Sequence, residues 1–402
     1  MSRHRPRHSQ AGVTLIEMMV ALVIGMVLSI AVMVVLSTFE GRRRTLGSTS
    51  DLDQTGALAM FQLDRWIRSA GSGLGQGSGF AYGCTVFAAR SGHQVLPATD
   101  PLPAPFARVD PGSSGVFRLA PVLILPGQTT PNVSGRSSDV LALMSAGNDA
   151  SQVSFPLSAP PAADHLVTAN LTEFSPADLL LVADHHKSAG GGPANCVVTQ
   201  ASASLTSSGT GTTLPLGGSD STYDGASIGG VAITSLTDDP VAFDLGAPTA
   251  SGNGQPPSFQ LIGVGDNDTL YGYDLLQVSG SGAQAQADGV FEMHAVYGVD
   301  STGNANNKVD QWVGAGTTSA YSVASLTDGS AAAMTRLKNI RALRVALILR
   351  TSLPEKDEVA PGALTMFADL SGLTVTRTLT PAERHFRYRV VETTIPIRNN
   401  GF

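Results

Sequence analysis

Cysteine is nearly absent from this chain of 402 residues: there are two, Cys84 and Cys196. Two cysteines exclude a multi-bridge scaffold and an all-cysteine zinc site, and they allow a single intramolecular pairing. Charge is also scarce, at 14% of residues, and aromatic residues make up 6%. The formal net charge of −7 argues against a general nucleic-acid surface. No proline occurs between Pro6 and Pro97, so nothing bars helix across that stretch. There is no Gly-x-Ser-x-Gly elbow, no P-loop, no His-Glu-x-x-His and no Cys/His set with zinc spacing. The chain therefore reads as a non-enzyme with no cofactor.

What the sequence does contain is concentrated near its start. From Met18 to Leu36 there is no charge, and Ser29 is the only polar side chain. At about 1.5 Å per helical residue this run approaches the roughly 30 Å of a bilayer's hydrocarbon core. One acid, Glu17, stands at its head, behind a leader with Arg3, Arg5 and Arg7. Loss of those three arginines takes the formal charge from −7 to −10. A secretory signal is cut after its apolar region at small residues. Leu36-Ser37-Thr38-Phe39-Glu40 offers no such site. Arg42, Arg43 and Arg44 on the far flank balance the leader arginines, so the positive-inside count sets no orientation.

Gly12-Val13-Thr14-Leu15-Ile16-Glu17 resembles the processing site of type IV prepilins and pseudopilins. The resemblance implies a cut between Gly12 and Val13 by a membrane peptidase on the cytoplasmic side. It also implies methylation of Val13 and retention of the apolar helix. A carboxylate near hydrocarbon is costly unless paired. The new amine on Val13 lies one helical turn from Glu17 and supplies a partner, in the same chain or in a neighbouring subunit; both pairings stay open. The plainer alternative is a membrane anchor in which Glu17 is a first-turn acid favoured by the helix dipole.

The expected fold class is α+β: a long N-terminal helix packed on a large β-rich head. Residues 1–12 are the leader and residues 13–70 the helix, with a membrane half over about 15–36 and an amphipathic half to about 70. Leu52, Leu58, Ala59, Leu63, Trp66, Ile67 and Ala70 recur at helical spacing, and Gly71 and Gly73 supply a stop. Fraying is expected near Gly41–Ser50. In the head, residues 71–402, the stretch to about Gly135 shows few periodic runs. Strands are expected at 138–144, 178–184, 195–199, 258–262, 269–276 and 290–300. Residues 201–257, rich in Gly, Ser and Thr, read as a loop or insertion. Ala331–Asn339 reads as a short helix and Ile340–Arg350 as a core strand, with Leu343, Val345, Leu347 and Leu349 on one face.

Three stretches narrow the resemblance. Asp51–Leu58 and Asp64-Arg65-Trp66-Ile67-Arg68-Ser69-Ala70-Gly71 precede a cysteine, Cys84; Tyr297-Gly298-Val299-Asp300 ends a strand; and Val390–Asn400 closes with Arg398-Asn399. Together they are similar to minor pilins of the PilW type. The resemblance implies a single-pass inner-membrane protein with a periplasmic head that helps initiate a type IV pilus and sits in or near the fibre tip. Twitching motility and adhesion follow from the fibre. The implied partners are the prepilin peptidase/methyltransferase, other minor pilins and the major pilin, and the inner-membrane assembly platform. Two other readings stay open: a type II secretion pseudopilin, and a membrane-anchored periplasmic enzyme or binding module. A periplasmic head permits a Cys84–Cys196 disulfide, worth on the order of 4 kcal/mol in the chain-entropy model. The alternative is two buried thiols.

Three weaker candidates remain. Asp300, Asn304, Asn306 and Asp310 offer the oxygen donors that hard cations take. Their spacing is not that of an EF-hand and no glutamate closes the set, so a turn is expected, with no metal. Asp184-His185-His186 lacks a further ligand at useful spacing and reads as a solvated strand end. Arg65 and Arg68 are interface charges or a solvated helix face.

Overall fold

The computed structural model describes residues 12, 14–75, 81–110, 115–129, 136–147, 149–151, 153–184, 194–206, 212–217, 221–223, 227–248, 256–276, 282–302 and 308–398. The chain divides into two units, Met1–Asp51 and Leu52–Phe402. Helix α1, Leu15–Ser69, contributes to both and is assigned as helix throughout Gly41–Ser50. The expected fraying there is corrected: a proline-free stretch keeps its hydrogen-bond ladder, and each glycine costs only about 1 kcal/mol.

In the first unit, Leu15–Ser37 is a span of 23 residues with mean hydropathy 3.0 and no buried residue. Its apolar side chains, from Leu15 to Leu36, stand largely exposed. Such a surface suits hydrocarbon rather than water. Ser29, the one polar side chain between Met18 and Leu36, returns its hydroxyl to the Gly25 carbonyl at 2.8 Å, which removes its need for a solvent partner.

In the second unit the chain runs β1 (Thr85–Arg90), β2 (His93–Leu96), β3 (Val122–Thr129), β4 (Ser138–Ser145), β5 (Ser154–Pro156), β6 (His165–Val167), β7 (Leu179–Ala183) and β8 (Asn195–Gln200). It continues with β9 (Thr213–Pro215), β10 (Ser227–Ile228), β11 (Val231–Ala232), β12 (Val241–Gly246), β13 (Ser258–Gly265), β14 (Thr269–Asp274), β15 (Gln284–Asp288) and β16 (Val290–Val299). Then come β17 (Gln311–Val313), α2 (Val323–Leu326), α3 (Ala331–Asn339), β18 (Ile340–Arg350), β19 (Ala363–Met366), β20 (Val375–Thr378) and β21 (Tyr388–Pro396).

Three larger sheets result, ordered β2-β1-β8-β7-β12-β5, β15-β14-β13-β4-β3 and β17-β16-β18-β21. The first is mixed, with β1 and β8 parallel; the other two are antiparallel. The main core collects Leu52, Ala59, Met60, Leu63, Ile67 and Ala70 of α1 with the inner faces of all three sheets. Alternation along β18 decides what each face meets. Leu343, Val345, Leu347 and Leu349 join the main core, while Ala346 and Ile348 pack under the β19–β20 hairpin with Phe291, Met366 and Phe367. Buried on both faces, this strand reads as a continuous apolar run. Gly71 ends α1 in the left-handed region, with φ 78°, and donates its N–H to the Met144 carbonyl at 2.8 Å.

Two expectations for the head are corrected. The stretch before Gly135 holds β1, β2 and β3, and β3 is interrupted by a register shift between Leu125 and Thr129, where Pro126 and Gly127 hide its run. Residues 201–257 are not simply loop: β12 lies inside the six-stranded sheet between β7 and β5. Val241, Phe243 and Leu245 face the main core, and Ala242 faces a second core behind the sheet, beside Leu180, Val182 and Val197.

Candidate functional site

The N-terminal segment is built by the first turn of α1. Thr14 precedes the first helical residue, and its carbonyl accepts the N–H groups of Glu17, at 3.1 Å, and Met18, at 3.2 Å. Its hydroxyl accepts the Glu17 N–H and donates to Glu17 Oε2, each at 3.4 Å. Thr-x-x-Glu is the spacing of a capping box; here the hydroxyl makes the half that caps the Glu17 N–H, and the Glu17 carboxylate accepts that hydroxyl. Sequence reasoning missed this duty of Thr14, although the spacing signals it. Glu17 therefore has a partner within its own chain before any processing. Gly12 is exposed, and a Cβ built on it meets nothing within 4 Å. The chain itself thus imposes no steric need for glycine there. Val13 lies outside the described residues.

In the second unit, the helix face opposite the core carries the candidate charges. Arg65 is exposed; Arg68 Nε meets Asp64 Oδ2 at 2.6 Å, one turn back on the same helix. That hydrogen bond holds the Asp64 carboxyl below its ordinary range. Asp53 pairs with Arg389 of β21, which ties the start of the packed helix to the closing strand. Leu58 and Phe61 are exposed on this helix, at 48% and 64%.

Cys84 and Cys196 are joined as a disulfide, with Cα atoms 5.8 Å apart and a separation of 112 in sequence. Cys84 directly precedes β1 and Cys196 lies in β8, the parallel neighbour of β1, so the bridge follows from the strand pairing.

The two described ends of the oxygen-rich stretch are tied to each other by hydrogen bonds. Asp310 accepts the N–H groups of Ser301, at 2.8 Å, and Thr302, at 3.3 Å. Those donors, Ser301 first, hold its carboxyl below the ordinary range. Asp300 is buried and accepts the Thr302 hydroxyl at 2.8 Å. Asn304 and Asn306 lie outside the described residues. Asp184 accepts the Asp238 N–H, and burial pushes its carboxyl up to about 6; His185 and His186 also lie outside the described residues. Among the described residues no group of three or more His, Cys, Asp and Glu is placed to hold a metal ion.

Comparison with known families fits this geometry. The prokaryotic N-terminal methylation motif matches residues 7–33, which contain Gly12, the cap and most of the apolar span. That motif makes the chain prepilin-like at its start and implies processing by a prepilin peptidase. The family described as type IV pilus-assembly protein W, PilW, matches residues 263–399, from within β13 to just past β21. The two matches together support a type IV pilus-related pilin. Neither is an enzyme family. No curated protein and no solved structure matches the chain.

Proposed function

We propose that this protein is a minor pilin that helps initiate and build a type IV pilus, incorporated in or near the fibre tip beside other minor pilins. The observation that carries the reading is the joint presence, on one chain, of a capped prepilin-type N-terminus heading a 23-residue apolar span and a PilW-type closing region. In this reading the chain waits in the inner membrane with its head in the periplasm. A prepilin peptidase cuts after Gly12 and methylates Val13, and the inner-membrane platform lifts the subunit into the fibre. The major pilin follows, and twitching motility and adhesion depend on the fibre.

Gly12 supports the division of labour. Because a side chain there meets nothing in the chain itself, any bar to a large residue comes from the peptidase. The test is deletion of the gene, complemented with wild type or Gly12→Arg. Wild type should restore surface fibres and yield a mature chain lacking residues 1–12 and carrying one methyl group by intact mass. Gly12→Arg should stay uncut and restore none. Normal fibres in the deletion strain, with failed export of folded enzymes, would move the protein to a type II secretion machine.

A further inference from the structure

One edge of the four-stranded sheet is closed by side chains rather than by a strand. β17 pairs with β16 only at Tyr297, Gly298 and Val299. Below that point the backbone of β16 is met by the segment entering β4. Arg136 donates to the Phe291 carbonyl. Ser138 Oγ donates to the Met293 carbonyl at 3.1 Å and accepts the Met293 N–H at 2.9 Å. Asp139 Oδ2 accepts the Ala295 N–H at 3.0 Å, and its Oδ1 accepts that of Gly127 at 3.0 Å. Buried backbone groups without partners are costly, so these three side chains replace a missing ladder.

The same segment enters a buried charge cluster. Arg136 lies 3.2 Å from Asp268, which also pairs with Arg350, and 3.7 Å from Glu292. Glu292 meets Arg377 at 2.7 Å, and Arg377 meets Glu383 at 2.8 Å. All three guanidinium groups stand near the ring of Phe291. His294 lies between two of the carboxylates. Its Nδ1 is 3.6 Å from Asp139 Oδ2 and its Nε2 is 3.5 Å from Glu292 Oε2, with the side chain 12% exposed. The cluster holds four carboxylates, Asp139, Asp268, Glu292 and Glu383, and three guanidinium groups, Arg136, Arg350 and Arg377, which leaves one negative charge over.

We propose that His294 is the counter-ion that closes this cluster: held as an imidazolium it locks the Arg136–Asp139 segment onto the edge of β16, and loss of its proton loosens that latch. A neutral imidazole carries a bare lone pair on one ring nitrogen, which would face a carboxylate. The imidazolium presents N–H on both sides. Burial alone pulls the His294 proton off, but the Asp139 and Glu292 carboxylates outweigh it and raise the group from 6.5 to about 9. The stabilisation is complete below the unfolded-state value near 6.5. It falls as pH rises through about 9, by roughly tenfold in the folding constant per unit while only the folded state holds the proton. The nearby tyrosines do not titrate in that window: burial pushes Tyr388 up to about 12 and Tyr297 higher still. Arg136 and Asp139 lie outside the PilW-matched residues while the rest of the cluster lies within them, so the latch joins the family-typical region to the strand before it.

The test is denaturant unfolding of the full mature chain in detergent from pH 6 to pH 10.5. Wild type should lose stability steadily from about pH 6.5 to about pH 9 and then level off. His294→Gln should start less stable and lose that step, while His294→Lys should keep its stability past pH 9. If His294→Gln does not fold, Glu292→Gln balances the cluster around a neutral imidazole and should move the step to lower pH. A wild-type profile flat across the window, or one that His294→Gln or Glu292→Gln reproduces unchanged, overturns the proposal.

Discussion

Gly56 of α1 faces Leu349 of β18 so closely that a Cβ on the glycine would lie 2.4 Å from Leu349 Cδ1, with Val391 Cγ2 at 3.9 Å. Leu349 is fully buried and cannot swing into solvent. A glycine inside a helix costs about 1 kcal/mol relative to alanine; here it lets the helix settle onto the sheet. Gly56→Val should therefore destabilise the head by about 1–3 kcal/mol through overpacking. Combined with Leu349→Ala, the loss should be smaller than the two single losses added, because the valine fills part of the space vacated. Strict additivity in equilibrium unfolding would show that the two side chains do not compete for one site.

The bridge between Cys84 and Cys196 ties the entry of the head to the middle of the six-stranded sheet. Protein recovered without reductant and treated with an alkylating agent should keep both sulfurs unlabelled. The double substitution Cys84→Ser, Cys196→Ser should cost about 2–5 kcal/mol. Two labelled cysteines in protein taken from an oxidising envelope would remove the bridge from the account.

Asp310 accepts the N–H groups of Ser301 and Thr302, so both its oxygens are already engaged. Added calcium should leave the melting temperature unchanged in wild type and in Asp310→Ala, with the variant melting lower at all calcium levels. A folded-state carboxyl held low contributes stability above the ordinary aspartate value and loses it as pH falls through its own. The gap between wild type and variant should therefore narrow on acidification below the ordinary value of 3.8. A calcium-dependent rise in melting temperature confined to wild type would reveal a bound cation instead.

The parts of the fold legible in the sequence are those whose apolar pattern is local. Ile340–Arg350 announces itself because both its faces are buried, and Ala331–Asn339 is a run of good helix formers, which Ser330 caps in the structure by accepting the Ala333 N–H. β12 was hidden for the opposite reason. Val-Ala-Phe-Asp-Leu-Gly is short, sits among glycine and threonine, and owes its strand to β7 and β5 on either side. The charge cluster around His294 was equally hidden. Arg136, Asp268, Glu292 and Arg377 carry no common spacing, and Glu292 reads as one polar residue in an apolar strand. At the N-terminus the motif is plain, but the bond between Thr14 and Glu17 is not: the same acid also suits the helix dipole and the Val13 amine, and spacing does not choose among the three partners.

That bond sharpens the test of Glu17. Its carboxylate has a local partner in the Thr14 hydroxyl at 3.4 Å; of the two pairings the motif leaves open, we propose that the Val13 amine of a neighbouring subunit supplies the second. Removing a cap costs about 0.5–2 kcal/mol of helix stability and needs no partner chain. Pairing across subunits is worth more where water is scarce, since a lone carboxylate there is penalised. Thr14→Val keeps the branched shape and removes only the hydroxyl; Glu17→Gln keeps the shape and removes only the charge. Both variants should insert and be cut after Gly12, which intact mass verifies first. Thr14→Val should then still support fibre assembly and co-purify with other minor pilins, at a reduced level. Glu17→Gln should do neither, because the amide cannot neutralise an incoming amine. Equal, mild defects in the two variants would reduce Glu17 to a member of the local cap, and wild-type assembly by Glu17→Gln would remove charge pairing from the assembly mechanism.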